Sequence, residues 1–361
     1  MNILLIITGL GMGGAETQVC NLADQFSELG HQVLLISMTG EIVNKPVSNS
    51  VQVVTLKMKK NLFGFCSAYL RANRLIKSFN PDVVHSHMVH ANLFARLLRL
   101  SVRIPKLIST AHSSNEGGFI RMFAYRLTDP LCDLSTNVSQ EAVDISVKRG
   151  AFVHKRIVAV HNGVDTERFR FNILSRKMKR CELGLSDDIT LLLAVGRLTE
   201  AKDYPTLLKA LRIVIQSGNK VKLAIIGTGE EQQKLSKMAV ELGINDHIHF
   251  LGLRHDVHEW MSAADMFVLS SAWEGFGLVV AEAMSCERLV IATDCGGVKE
   301  VVGRAGILVS SKNTTALSQG LMEGLALSSD SVAEFGALAR ERIVELYSLR
   351  TQSLRWLCLY S

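Results

Sequence analysis

Apolar positions in this chain gather into short, mostly continuous runs. Residues 3–7, 32–36, 51–56, 83–85, 106–109 and 157–160 are such runs, the pattern of parallel strands buried on both faces. Between the first two, Ala15, Val19, Leu22, Phe26 and Leu29 recur at helical spacing, and Gly30 stands where a left-handed residue closes a helix. The result is a strand, helix, strand unit. The apolar start, residues 2–10, has no basic flank and no small-residue cleavage pattern, so it reads as a first buried strand rather than a signal peptide.

The rhythm restarts after a polar, basic stretch near residues 168–180. Runs at 190–195, 222–226, 248–251, 266–269 and 289–292 follow, and Leu207, Leu208, Leu211, Val214 and Ile215 mark an intervening helix face. Two alternating blocks in 361 residues predict an α/β protein of two doubly wound, Rossmann-like domains, because one core seldom grows that large. The expected boundaries are 1–167 and 168–345, with ligands at the carboxyl ends of the strands in a shared central cleft.

Composition narrows the classes. Hydrophobic residues make up 48% and charged residues 20% of the chain, enough for a packed fold with no tract to leave disordered. No apolar run approaches the roughly 20 residues that span a bilayer. Seven cysteines are scattered without a Cys-x-x-Cys pair, which fits a reducing cytoplasm and no zinc site.

The net charge of +6 is uneven: residues 1–165 carry 17 Lys/Arg against 11 Asp/Glu, and residues 166–361 carry 23 of each. Lys57, Lys59, Lys60, Arg71, Arg74 and Lys77 surround Leu62, Phe63, Phe65, Tyr69, Leu70 and Leu75. That grouping reads either as an amphipathic helix on an anionic membrane surface or as a solvated helix face. Nucleic acid is not an expected partner, since the excess lacks aromatic interleaving and a reader motif.

Three constellations carry chemistry. In the first loop, Gly9, Gly11 and Gly14 satisfy a Gly-x-Gly-x-x-Gly spacing, yet the second strand ends Ile36-Ser37-Met38 without the acidic residue that binds an NAD ribose. The loop then serves a ligand, anionic or polyhydroxylated, at a helix N-terminus, or is a structural turn. Second, Arg197 and Lys202 follow an apolar strand; two cations at one strand mouth suit a diphosphate, the alternative being ion pairs with Glu200 or Asp203. Third, Glu274 and Glu282 stand eight positions apart astride Gly275-Phe276-Gly277-Leu278-Val279. That spacing lets a loop carboxylate and a helix carboxylate share a ligand, with backbone N–H groups of residues 276–279 beside them; Phe276 is expected to be exposed.

The last segment resembles the Glu, seven residues, Glu motif of glycosyltransferase family 4. Gly13-Gly14-Ala15-Glu16 is similar to that family's first-loop signature, Asn162-Gly163-Val164-Asp165 to the segment closing its first domain, and Arg197 with Lys202 to its donor-diphosphate pair. The resemblance implies the GT-B fold, with residues 346–361 packing back on the first domain. It implies a retaining, metal-independent enzyme moving a hexose or N-acetylhexosamine from a nucleotide sugar, a UDP-sugar foremost, to a glycan or lipid-linked saccharide. Arg197 and Lys202 would then neutralise the leaving diphosphate, Glu274 would contact the donor sugar and Glu282 the ribose. Gly229, Arg254 and His255 would approach the nucleoside, and His112 the reacting sugar. No cofactor or metal is expected beyond the donor. The place is the cytoplasm, with peripheral contact at the inner membrane face. An epimerase or hydrolase on the same fold, or a non-catalytic sugar-nucleotide-binding subunit, are the alternatives.

Overall fold

The computed structural model describes residues 1–113, 117–153 and 156–361. The chain divides into two compact units, Met1–Gly163 with Leu349–Ser361, and Val164–Ser348. In the first, the described residues form a seven-stranded parallel sheet of β1 (Asn2–Gly9), β2 (Gln32–Thr39), β3 (Gln52–Thr55), β4 (Val83–His87), β5 (Lys106–Ala111), β6 (Leu134–Asn137) and β7 (Ile157–Ala159). Their order is β3-β2-β1-β4-β5-β6-β7. Register sets Leu5 opposite Leu35 on one side and His85 on the other.

Alternation assigns each strand residue to a face. Ile3, Leu5 and Ile7 pack with Val19, Leu22 and Phe26 of the helix Gly14–Glu28 and with Trp356 and Tyr360 of the helix Leu349–Tyr360. Leu4 and Ile6 pack with Ala72 and Ile76 of the helix Leu62–Phe79 and with Phe94 and Leu98 of the helix Val89–Leu98. Each fully buried Leu, Ile or Phe contributes about 1.5–3 kcal/mol. The helix Gly14–Glu28 stops where the periodicity says it should, with Gly30 at φ 83°.

The second unit holds, among the described residues, a six-stranded parallel sheet of β8 (Thr190–Val195), β9 (Val221–Ile226), β10 (Ile248–Gly252), β11 (Met266–Leu269), β12 (Leu289–Asp294) and β13 (Ile307–Ser310). Its order is β10-β9-β8-β11-β12-β13. The direction of winding therefore reverses between β8 and β11 here, and between β1 and β4 in the first unit. Those are the switch points at which ligands bind doubly wound sheets.

The basic stretch near residues 168–180 is not a polar break. It contains the helix Ile173–Glu182, whose Arg180 is only 5% exposed. Arg176 and Arg180 both hold Asp265, at 2.5 and 3.0 Å, and Arg180 also donates to the carbonyls of Ser186 and Ile189. The cations are there to satisfy a carboxylate and carbonyls that would otherwise be stranded.

Candidate active site

The switch point of the second unit is where two separate sequence motifs meet. β8 runs into Gly196 and Arg197, then a single turn Glu200–Lys202, and Asp203 at φ 45° opens the helix Tyr204–Gln216. β11 runs into Ser270, Ser271 and Glu274. The Lys202 ammonium donates to the Glu274 carboxylate, and the same carboxylate accepts from Ser271 Oγ at 2.7 Å. Ser270 Oγ donates to the Lys202 carbonyl at 2.8 Å, fixing the turn from the other side. Lys202 thus pairs with Glu274, not with Glu200 or Asp203. Arg197 lies exposed at the same strand end. Beneath them the buried Tyr204 hydroxyl donates to the Gly196 carbonyl at 3.2 Å; burial raises its pKa, and the Glu274 charge raises it further.

Glycines make this strand mouth possible. A Cβ on Gly227, at φ 139°, would stand 2.0 Å from the Gly196 oxygen, and one on Gly229 2.3 Å from the Leu198 oxygen. The two loops are stitched by Leu198 N–H to Thr228 O and Glu231 N–H to Leu198 O. Gly296, at φ 57°, likewise presses on the Glu274 carbonyl. Gly229 therefore has a packing reason of its own, in addition to the nucleoside contact that the resemblance implies.

Gly277, at φ 84°, precedes the helix Leu278–Ser285. The N–H groups of Leu278 and Val279 fall in its first turn, where no intrahelical acceptor exists. Phe276 is not exposed: at 2% accessibility it packs on Tyr347, ring centroids 5.6 Å apart. The aromatic ring anchors the turn, and only the backbone around it is left for a ligand. Glu282 sits in the second turn of that helix, half-buried, and burial pushes its carboxyl up to about 8 against an opposing pull from Arg168.

Arg254 and His255 follow β10. Arg254 is clamped on Asp256 at 2.8 and 2.9 Å and lies over the Trp260 ring beside Lys179, which holds Asp256 at 2.6 Å. His255 is exposed, and its carbonyl accepts from Arg168. Arg197, Lys202, Gly229, Arg254, His255, Glu274 and residues 276–279 thus stand in the loops and first helical turns at the carboxyl edge of one parallel sheet.

In the first unit, Gly13 caps the helix Gly14–Glu28 with an extended backbone, and a Cβ on it would strike the Glu16 carboxylate at 2.5 Å. That helix start already holds a carboxylate, which favours a polyhydroxylated ligand over an anionic one at Gly13 and Gly14. His112 follows the end of β5, and His87 Nδ1 lies 3.1 Å from its Nε2. On the same strand as His87, His85 bonds Tyr360 through Nδ1 and Thr110 through Nε2, both at 2.6 Å, and its ring lies tilted against Trp356, centroids 4.4 Å apart. Burial lowers the pKa of all three histidines, His112 to about 4. Met88, next to His87 at the β1/β4 switch point, carries the positive φ of 73°, a strained backbone that surrounding structure must hold in place. Sequence reasoning absorbed His85 into a strand and passed over His87; the His-x-His spacing, which places both rings on one strand face, was the signal.

Comparison with known proteins agrees with this architecture. Residues 12–168 match the family model described as glycosyltransferase family 4, and residues 175–342 the one described as glycosyl transferases group 1. The chain belongs to the glycosyltransferases of the GT-B fold. It is 25% identical over 333 residues to an uncharacterized glycosyltransferase of Methanocaldococcus jannaschii, covering 86% of this chain and 84% of the relative. It is 26% identical over 341 residues, 88% of each chain, to a Campylobacter jejuni N-acetylgalactosamine-N,N'-diacetylbacillosaminyl-diphospho-undecaprenol 4-alpha-N-acetylgalactosaminyltransferase. Among solved structures, HepE of Anabaena in complex with UDP superposes with a TM-score of 0.84 at 20% identity, covering 99% of both chains.

Proposed function

We propose that this glycosyltransferase moves a hexose or N-acetylhexosamine from a nucleoside-diphosphate sugar, a UDP-sugar foremost, to a glycan or lipid-linked saccharide, with retention of anomeric configuration. The observation that carries the reading is the Lys202–Glu274 pair at the β8/β11 switch point. Without ligand the two charges neutralise each other. An arriving diphosphate competes for the ammonium and frees the carboxylate to accept sugar hydroxyls, so one exchange of partners serves both halves of the donor. Exposed Arg197 adds a planar fork for phosphate oxygens. First-turn N–H groups of Leu278 and Val279 add donors to the same anion, and Glu282 takes the ribose hydroxyls.

Breaking the glycosidic bond develops positive charge on the sugar and negative charge on the leaving phosphate. Fixed cations and N–H donors stabilise the second charge, each removed contact costing about 2.7–4 kcal/mol. With Arg197 and Lys202 in that role, the reaction runs without a divalent ion. The diphosphate takes the acceptor proton as the hydroxyl attacks the face it leaves. The Campylobacter relative, named for transfer to a diphospho-undecaprenol-linked saccharide, supports a lipid-linked acceptor; cell-surface polysaccharide synthesis at the cytoplasmic face of a membrane is part of the same proposal. No helix of the described residues is long and apolar enough to cross one.

The test is product stereochemistry. Incubation with a panel of nucleotide sugars and a lipid-diphosphate saccharide in the presence of EDTA should yield a product whose anomeric proton coupling matches that of the donor. An inverted product, or sugar released only to water or epimerised without an acceptor, would replace this reading with one of its rivals.

A further inference from the structure

The helix Phe119–Thr128 turns Met122 and Tyr125 into the first unit and leaves the rest of its apolar side chains outside. Phe119 is 82% exposed, Ile120 83%, Phe123 57% and Leu127 70%, and the Phe119 and Phe123 rings stack on each other in the open. Nearby, Leu62 and Phe63 at the start of the helix Leu62–Phe79 are 80% and 86% exposed. That second helix spends its main apolar stripe internally, since Phe65, Tyr69 and Leu75 pack on the core; only its start and Leu70 face outward.

These two exposed sites belong to one surface. The helix Val89–Leu98 packs against both helices. On it, the pKa of exposed His90 is lowered by partial burial and then by the charges of Arg121 of one helix and Lys60 just before the other. The surrounding segment is basic: residues 42–128 contain 13 Lys/Arg against two acids, Asp82 and Glu116. Lys59, Lys60, Arg121 and Arg126 are exposed beside the apolar side chains. Large apolar groups at this exposure are rare on a soluble surface unless something covers them. Exposed aromatic and aliphatic side chains with cations beside them match a bilayer interface with anionic headgroups.

We propose that the outer face of the helix Phe119–Thr128, together with Leu62 and Phe63, inserts into the headgroup region of an anionic bilayer, with Lys59, Lys60, Arg121 and Arg126 against lipid phosphates. This inference stands on the surface itself and adds to the proposed function the place where its lipid-linked acceptor is met.

Sedimentation with sucrose-loaded vesicles tests it, comparing phosphatidylcholine alone with phosphatidylcholine containing phosphatidylglycerol. The full chain should pellet with the anionic vesicles and less so as salt rises. A Phe119→Ser, Ile120→Ser, Phe123→Ser variant should lose at least about tenfold in partitioning, as should Lys59→Gln with Lys60→Gln. Val240→Ser with Leu338→Ser, exposed apolar positions of the second unit, should change nothing. All substituted positions are exposed, so thermal unfolding should stay at the wild-type midpoint. Wild-type protein left in the supernatant, or equal partitioning in every variant, would overturn the proposal. So would a concentration-dependent dimer abolished by the triple variant, which would assign the face to a second copy. Donor binding, measured separately without vesicles, distinguishes failure of this surface from failure of the transferase reading.

Discussion

Lys202 and Glu274, 72 positions apart, share a hydrogen-bonded ion pair at the point where the second sheet reverses its winding. The contact joins the loop after β8 to the loop after β11, so a ligand that separates the pair touches both. Lys202→Ala should lower kcat/KM by about 10²–10³, the size of one lost oxyanion contact, while leaving the fold intact because the pair lies at the rim. Lys202→Arg should not restore activity: the Lys202 and Glu274 side chains are only 19% and 14% exposed, and a guanidinium is bulkier than an ammonium. Steady-state kinetics on the two variants check both statements.

Backbone crowding gives a stability prediction at the same strand mouth. Gly229→Ala would place a methyl 2.3 Å from the Leu198 oxygen, so the stitched loops must part. The expected loss is about 3 kcal/mol, read from urea unfolding of the second unit. A loss below about 0.5 kcal/mol would mean that the two loops are not packed as described.

Glu282 and the buried histidines respond to acid in opposite senses. A carboxyl raised from 4.5 to about 8 binds its proton more tightly when folded. Its stabilisation is complete below the unfolded value and is lost as pH rises through about 8. The histidines are depressed by burial, so the unfolded chain takes up protons that the folded unit refuses, and stability falls below the unfolded histidine value of about 6.5. Between pH 5 and 6.5, hydrogen exchange should therefore show the first unit gaining protection as pH rises. In the second unit Glu282 opposes His249 and His258, which burial also lowers, so Glu282→Gln should make that unit's protection rise more steeply with pH than in the wild type.

Tyr360 ties the C-terminal helix to the first sheet by a polar contact inside an apolar seat. Tyr360→Phe leaves His85 Nδ1 buried without its 2.6 Å partner, at a cost of about 1–3 kcal/mol. A thermal midpoint unchanged in the variant would show that Trp356 packing alone holds the helix.

Much of this architecture is legible in sequence because buried parallel strands write themselves as apolar runs. β6 does not: its Ser135, Thr136 and Asn137 are all buried, paid for by bonds such as Arg96 to Ser135 and Thr110 to Thr136. A polar strand satisfied by side chains from other elements has no local signature. The site was legible as separate motifs, each at a strand end, but not as contacts. Nothing near Lys202 names Glu274 as its partner, and a Phe between two glycines gives no sign that Tyr347, 71 positions on, will cover it. The helix Phe119–Thr128 hides its exposed face for the converse reason: apolar residues predict burial, and here they are outside.

Isothermal calorimetry with a panel of nucleotide sugars, on the wild type, Lys202→Ala and Glu282→Ala, tests the central claim most directly. The account predicts that one donor binds, that EDTA leaves its affinity unchanged, and that both substitutions weaken it at least about tenfold. Absence of binding to every donor, or affinity indifferent to both substitutions, would contradict it.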